Sequence, residues 1–238
     1  MKSIGRTTIP AILAALLGAA PGSATAGESV VLVELFTSQG CSSCPPADKL
    51  LGELAGRDDV LPLSLHVDYW DYLGWRDTFG MPAATTRQKA YRDAWDARYV
   101  YTPQMVVDGH VEVRGAQRTE LDAAIAEARA GQPPARIELT VEGSMLRCSM
   151  TGVPEGSVVW MAEYEAARTV EIERGENAGR SITYHNVVHA LEALGPAPAN
   201  SGDSLLLAMP GLGMGLAIWV QEPDGGRVLA VARHAPTS

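Results

Sequence analysis

An α/β unit followed by a smaller, β-rich one is the architecture that the order of patterns along these 238 residues predicts. Three observations carry it. An apolar run, Val30 to Phe36, leads into Gln39-Gly40-Cys41-Ser42-Ser43-Cys44-Pro45-Pro46 and then into a helical pattern. A second, β-branched and leucine-rich run follows that helix, which is the order of a parallel strand-helix-strand unit. Beyond Gln132-Pro133-Pro134 the pattern changes to short alternating runs separated by glycine turns.

The chain opens with Lys2 and Arg6 ahead of an apolar run from Ile9 to Ala20, too short to span a bilayer, and then small residues ending Ala24-Thr25-Ala26. Residues 1–26 are expected to be a cleaved signal peptide, with no membrane span left after cleavage and a periplasmic or secreted destination. Loss of Lys2 and Arg6 takes the formal charge from −9 to −11. That balance argues against a nucleic-acid partner and, more weakly, against anionic membrane surfaces. The remaining length can bury one large core or two modest ones.

The elements follow in order. Pro45 and Pro46 suit a first helical turn, whose N–H groups lack partners in any case, and Ala47 to Ala55 continues as helix with Leu50, Leu51 and Leu54 on one side. Val60 to Val67 reads as a buried strand. After an aromatic segment around Trp70 and Trp75, the recurrence of Tyr91, Trp95 and Tyr99 predicts a helix over 84–99 whose aromatic stripe is a packing face. Pro103 precedes the strand Gln104–Val107, an Asp108-Gly109 hairpin turn and a return strand to Arg114. Thr119 is then expected to cap a helix running to about Ala130. Residues 27–131 thus form the first unit, 132–136 a linker and 137–238 a β-rich unit, expected to be a small sandwich.

The cysteine pair is the candidate site. A sulfur at a helix N-terminus feels the positive end of the dipole and unpaired N–H donors, so its thiolate is stabilised; Cys41 is read as the nucleophile and Cys44, one turn on, as the residue that resolves a mixed disulfide. A structural zinc site would need four ligands, and the only other cysteine, Cys148, stands alone. A covalent haem site would need His after Cys44, where Pro45 stands. A permanent structural disulfide stays open. Cys148 alternates with Leu146 and Met150 and is expected to face a core. His185 and His189 can share a face of a helix or a strand, with Glu192 as a third candidate ligand, but two ligands alone do not make a metal site. His66, at the end of the second strand, reads as structural.

The order of elements, with Pro103 leading the hairpin, resembles the thioredoxin fold over roughly residues 29–131. The resemblance implies that Cys41 attacks, that Cys44 resolves, and that Pro103 is a cis-proline with Thr102 beside it. It also implies that Glu34 is the buried acid taking a proton from the second cysteine, although Glu34 lies seven residues before Cys41 where thioredoxin has six. Gly40 replaces the usual aromatic residue before the first cysteine, and Ser42-Ser43 fills the middle of the motif. More narrowly, the stretch Glu34 to Asp48 and the stretch His66 to Asp71 are similar to a family of secreted bacterial proteins catalogued as domain of unknown function 1223.

The leading expectation is an exported thiol-disulfide oxidoreductase that acts on protein or peptide thiols, exchanges electrons with a partner protein and needs no cofactor. Two alternatives stay open: a protein handling monovalent copper with the same cysteines, and a non-catalytic binding module with a fixed disulfide.

Overall fold

The computed structural model describes residues 30–198 and 203–236. The signal-peptide expectation, on residues 1–26, lies outside them. Eleven strands and three helices follow in the order β1 (Val31–Thr37), α1 (Pro45–Leu54), β2 (Val60–His66), α2 (Pro82–Ala94), β3 (Gln104–Val107), β4 (Val111–Arg114), α3 (Arg118–Ala130), β5 (Arg136–Glu142), β6 (Met145–Thr151), β7 (Val158–Ile172), β8 (Arg180–Pro196), β9 (Ser204–Ala208), β10 (Met214–Gln221) and β11 (Val228–His234).

Eight strands form one mixed sheet in the order β11-β10-β7-β8-β2-β1-β3-β4, and β5-β6-β9 form a small antiparallel sheet. β1 and β2 run parallel over seven residue pairs, as the strand-helix-strand pattern requires, and β3 lies antiparallel to β1. The β3–β4 turn is Asp108-Gly109, both residues at positive φ (44° and 75°), the geometry that such turns select.

The separate sandwich expected beyond residue 136 is therefore replaced by a shared architecture. Only three of its strands form their own sheet; β7, β8, β10 and β11 extend the first one. The junction is β2 against β8. It holds a single parallel pair, Ser64 with Val187, because Pro62 has no N–H to give on that edge; the Asn186 side chain takes up the Pro62 carbonyl at 2.8 Å instead.

Alternation along the strands sorts the core. Val31, Val33 and Leu35 of β1 face α1 and α3, packing with Leu50, Leu51, Leu54, Leu121 and Ile125. Leu32 and Phe36 face the other way, with Leu61, Leu63 and Leu65 of β2, and this second core continues without interruption to Tyr164, Val188 and Trp219 of the later strands. The small sheet covers the far end through Leu146, Cys148 and Met150, which pack on Leu216, Ile218 and Val220. Cys148 is thus a buried core residue, as its alternation predicts.

Two helix boundaries differ from the sequence reading. α2 ends at Ala94 because Asp96 turns to φ 50°; Tyr91 is buried, Trp95 stacks on it at 5.2 Å, and Tyr99 lies beyond the helix, 63% exposed. Gln117 holds the N-cap position of α3 with no side-chain cap, and Thr119 lies inside the first turn.

Candidate functional site

Cys41 and Cys44 are joined as a disulfide, with Cα atoms 5.4 Å apart. The helix begins later than Cys41: Cys44 is itself the N-cap of α1 and Pro45 opens the first turn, so Cys41 stands one tight turn upstream, its carbonyl accepting the Cys44 N–H at 3.2 Å. The Ser43 hydroxyl lies 3.4 Å from the Cys41 sulfur, while Ser42 and Ser43 are both exposed. Both cysteines are buried, Cys41 at 4% exposure and Cys44 at 0%.

Two segments far apart in sequence hold this loop. On one side, the Gln39 N–H donates to Asp77 at 2.7 Å, and the Gln39 side chain accepts from the Trp75 indole and donates to Thr78. On the other, the tip of the β7–β8 hairpin packs against the motif. The Asn177 amide donates to the carbonyls of Gln39 and Cys41, each at 2.9 Å, and Glu176 accepts the Ser42 N–H at 3.4 Å. In sequence the tip, Gly175-Glu176-Asn177-Ala178-Gly179-Arg180, reads only as a polar loop, and its contact with a motif more than a hundred residues away leaves no local signal.

Trp70 links the cysteine loop to Pro103. A Cβ on Gly40 would meet the Trp70 Cβ and carbonyl at 3.3 Å, so a larger side chain here would press on Trp70. The Trp70 indole N–H donates to Thr102 Oγ1 at 2.8 Å, and the Thr102–Pro103 bond is cis. Among the described residues, the N–H and C=O of Thr102 make no backbone hydrogen bond. Tyr72, 75% exposed, stacks on Trp70 at the rim.

Glu34 is buried, but its carboxylate is occupied. Arg87 Nε and Nη2 bind its two oxygens, and the Tyr91 hydroxyl donates to Oε2. Burial works against the Arg87 charge, yet Glu34 and Tyr91 together outweigh it and hold the guanidinium pKa above its usual value. Arg87 also lies over the Trp160 ring at 4.4 Å and reaches Gln221 at 3.0 Å.

The acid that sequence reasoning missed is Asp48. It lies four residues after Cys44 on α1, is 2% exposed, and accepts the Thr37 hydroxyl at 2.7 Å through Oδ1. Burial pushes its pKa up to about 7, with His66 and Thr37 pulling the other way. His66, fully buried, is bound through Nδ1 to Asp77 at 2.8 Å. Burial alone would raise the Asp77 carboxyl, but His66 and the N–H groups of Gln39 and Phe79 hold it below its ordinary value. Asp48 Oδ2, His66 Nε2 and Tyr184 Oη are buried without a hydrogen-bond partner among the described residues. Asp48 is the acid in the first turn of α1, a position that favours carboxylates by the helix dipole alone.

The histidine pair does not converge. The His185 ring lies over Gly52 of α1, whereas His189 packs on Phe79 and reaches Glu165 at 3.3 Å; the pairing register shifts between them. Among the described residues, no group of three or more His, Cys, Asp or Glu side chains is arranged to hold a metal ion, and no helix is long and apolar enough to cross a membrane. Burial raises the Cys148 thiol to about 11, which makes it a poor nucleophile.

Fold and site together define a mixed α/β protein with a Cys-x-x-Cys disulfide held at the start of a helix. The chain belongs to a family of proteins of unknown function (DUF1223), whose model matches residues 32–221. Among solved structures it is similar to protein AGR_C_4864 from Agrobacterium tumefaciens, at 30% identity over 90% of this chain and 97% of that one, with a TM-score of 0.74. HBP35 of Porphyromonas gingivalis shares the fold at 13% identity, covering 89% of this chain and 78% of that one with a TM-score of 0.62. No curated protein was found with a significant match to the sequence.

Proposed function

We propose that this is an exported thiol-disulfide oxidoreductase with a thioredoxin-like first half, acting on protein or peptide cysteines through Cys41 and Cys44. The observation that carries the reading is the bridge that Trp70 makes from the cysteine loop to a backbone segment with free hydrogen-bonding groups: Trp70 lies against Gly40, before Cys41, and donates to Thr102, whose N–H and C=O have no backbone partner among the described residues. An extended substrate chain can pair with Thr102 while its cysteine meets the Cys41 sulfur.

Starting from the disulfide, a substrate thiolate attacks Cys41 Sγ, the Cys41–Cys44 bond breaks, and Cys44 leaves as a thiolate that takes up one proton. A second substrate thiolate then attacks the substrate sulfur of the mixed disulfide and releases Cys41. The substrate pair is oxidised by two electrons and the protein dithiol is reduced; a partner disulfide reverses these steps to restore the starting state. The potential decides the direction in the cell. The signal-like residues 1–26 support an oxidising, extracytoplasmic setting.

A second reading, a binding module with a fixed disulfide, is favoured by one observation: the hairpin tip packs over the motif and leaves Cys41 only 4% exposed. Equilibration of the mature protein in glutathione buffers, read by the mass shift on thiol alkylation with Cys41→Ala as the control, separates the two. A reversible midpoint between about −120 and −200 mV supports an oxidase or isomerase, and one near −270 mV a reductase. A disulfide that stays closed across the series, with partner binding retained in Cys41→Ala, makes the protein a binding module.

A further inference from the structure

We propose that Asp48 is the acid that delivers a proton to the Cys44 sulfur when the Cys41–Cys44 disulfide opens, with the His66–Asp77 pair as its electrostatic neighbour. The inference rests on the oxidoreductase reading and names the proton path of the same site.

The geometry comes from the helix. Residues four apart on a helix lie one above the other on the same face, and the Asp48 N–H donates to the Cys44 carbonyl at 3.1 Å, so Asp48 stands one turn below Cys44 on the same face of α1. Both residues are closed off from solvent. A thiolate released at Cys44 therefore cannot draw its proton directly from bulk water and must find a donor inside. Glu34, the acid that the sequence offered for this task, has both oxygens taken by Arg87 and Tyr91.

Asp48 has an oxygen to spare. Thr37 occupies Oδ1, and Oδ2 is buried without a partner among the described residues, a costly arrangement unless the atom carries or exchanges a proton. Every element packed around it contributes a polar group: Thr37 from β1, His66 from β2, Asp77 from the segment before α2 and Tyr184 from β8. His66 and Asp77 form the pair that matters. Asp77 fixes Nδ1 at 2.8 Å, and Nε2 is left buried and unpartnered. A pKa of about 7, raised by burial, keeps a useful fraction of Asp48 protonated near neutral pH, where an acid of ordinary strength would have lost its proton.

The step balances. As the incoming thiolate bonds to Cys41 Sγ, the electron pair of the broken S–S bond goes to Cys44, the Asp48 proton follows it, and Asp48 is left as a carboxylate beside His66. Resolution runs the same path backwards, with Asp48 accepting the Cys44 proton as that sulfur attacks Cys41.

The test is the rate of opening of the native disulfide by dithiothreitol between about pH 5 and about pH 9, divided by the concentration of reductant thiolate. In the unmodified protein this normalised rate is expected to fall as pH rises through about 7, where Asp48 loses its proton. Asp48→Asn is expected to flatten the profile and to slow opening below the inflection by about tenfold or more. His66→Gln is expected to move the inflection to higher pH, because the pull of His66 on the Asp48 carboxyl is gone. An Asp48→Asn profile parallel to that of the unmodified protein overturns the inference. If that variant does not fold, an unshifted inflection in His66→Gln overturns it instead. A native disulfide that dithiothreitol never opens sinks the oxidoreductase reading along with it, whereas a disulfide that opens with a flat normalised profile sinks only the proton path.

Discussion

Asn177 reaches back 136 residues to hold the carbonyl of Cys41 at 2.9 Å, and the same amide holds the carbonyl of Gln39. One side chain from the later half of the chain thus fixes the backbone of the cysteine motif in the earlier half. Asn177→Ala leaves the Gln39 carbonyl without its donor and the Cys41 carbonyl with the Cys44 N–H alone, and a loss of about 1–3 kcal/mol in urea unfolding is expected. The same variant is expected to be reduced faster by dithiothreitol, since the tip then releases the loop around Cys41. An unchanged reduction rate would show that the hairpin supports the fold without guarding the site.

Glu34 and Arg87 are a structural pair whose separation leaves a buried charge. Arg87→Met is expected to cost about 3–5 kcal/mol, and adding Glu34→Gln to it should recover much of that loss, because the pair is then removed together. A double-mutant cycle by chemical denaturation measures the coupling. Glu34→Gln is also expected to leave disulfide exchange rates unchanged; a large drop would return the proton-accepting role to Glu34.

Asp48 should make stability depend on pH in the direction opposite to a salt-bridged acid. Its folded-state pKa of about 7 lies above the ordinary value of 3.8, so the folded chain binds the extra proton between them. Its contribution is complete below the lower value and is lost as pH rises through the higher one. Asp48→Asn is therefore expected to raise the unfolding free energy above neutral pH, by up to a few kcal/mol, with a shrinking difference towards pH ~4. Thermal melts at the two pH values check the sign.

Gly52 gives a test of how α1 meets β8. A Cβ there would lie 2.5 Å from the His185 ring, so Gly52→Ala is expected to destabilise the protein although alanine favours the helix. Adding His185→Ala should reverse the sign and give a net gain of up to about 1 kcal/mol relative to His185→Ala alone. If Gly52→Ala stabilises on its own, the ring moves aside freely and the helix is not tightly docked on the strand.

The strand-helix-strand start, the hairpin at Asp108-Gly109 and the cysteine pair were legible because each rests on neighbours in sequence: apolar runs, prolines at a helix start, a turn that demands positive φ. β8 was not. Its seventeen residues carry His185, Asn186 and His189 among apolar ones, and it is stabilised by pairing with β7 and by Asn186 binding Pro62, a contact spanning 124 residues. The candidate site divided the same way. Cys41 and Cys44 could be named from their motif and Thr102 and Pro103 from the thioredoxin resemblance, whereas Asp48, His66 and Asn177 look like a first-turn acid, a strand-end histidine and a loop amide. Only burial and unpartnered atoms set them apart, and these exist only once the chain has folded.

The uninterrupted core beneath β2 and β8 governs what happens to an incomplete chain. A ribosome that has released only residues up to Gly131 has delivered the whole cysteine motif, yet Leu61, Leu63 and Leu65 still await Tyr164, Val188 and Trp219. Beside them β2 offers a bare strand edge to any neighbour. A truncated gene product ending there would be sticky, because that apolar face and that open edge stay uncovered until the later strands arrive.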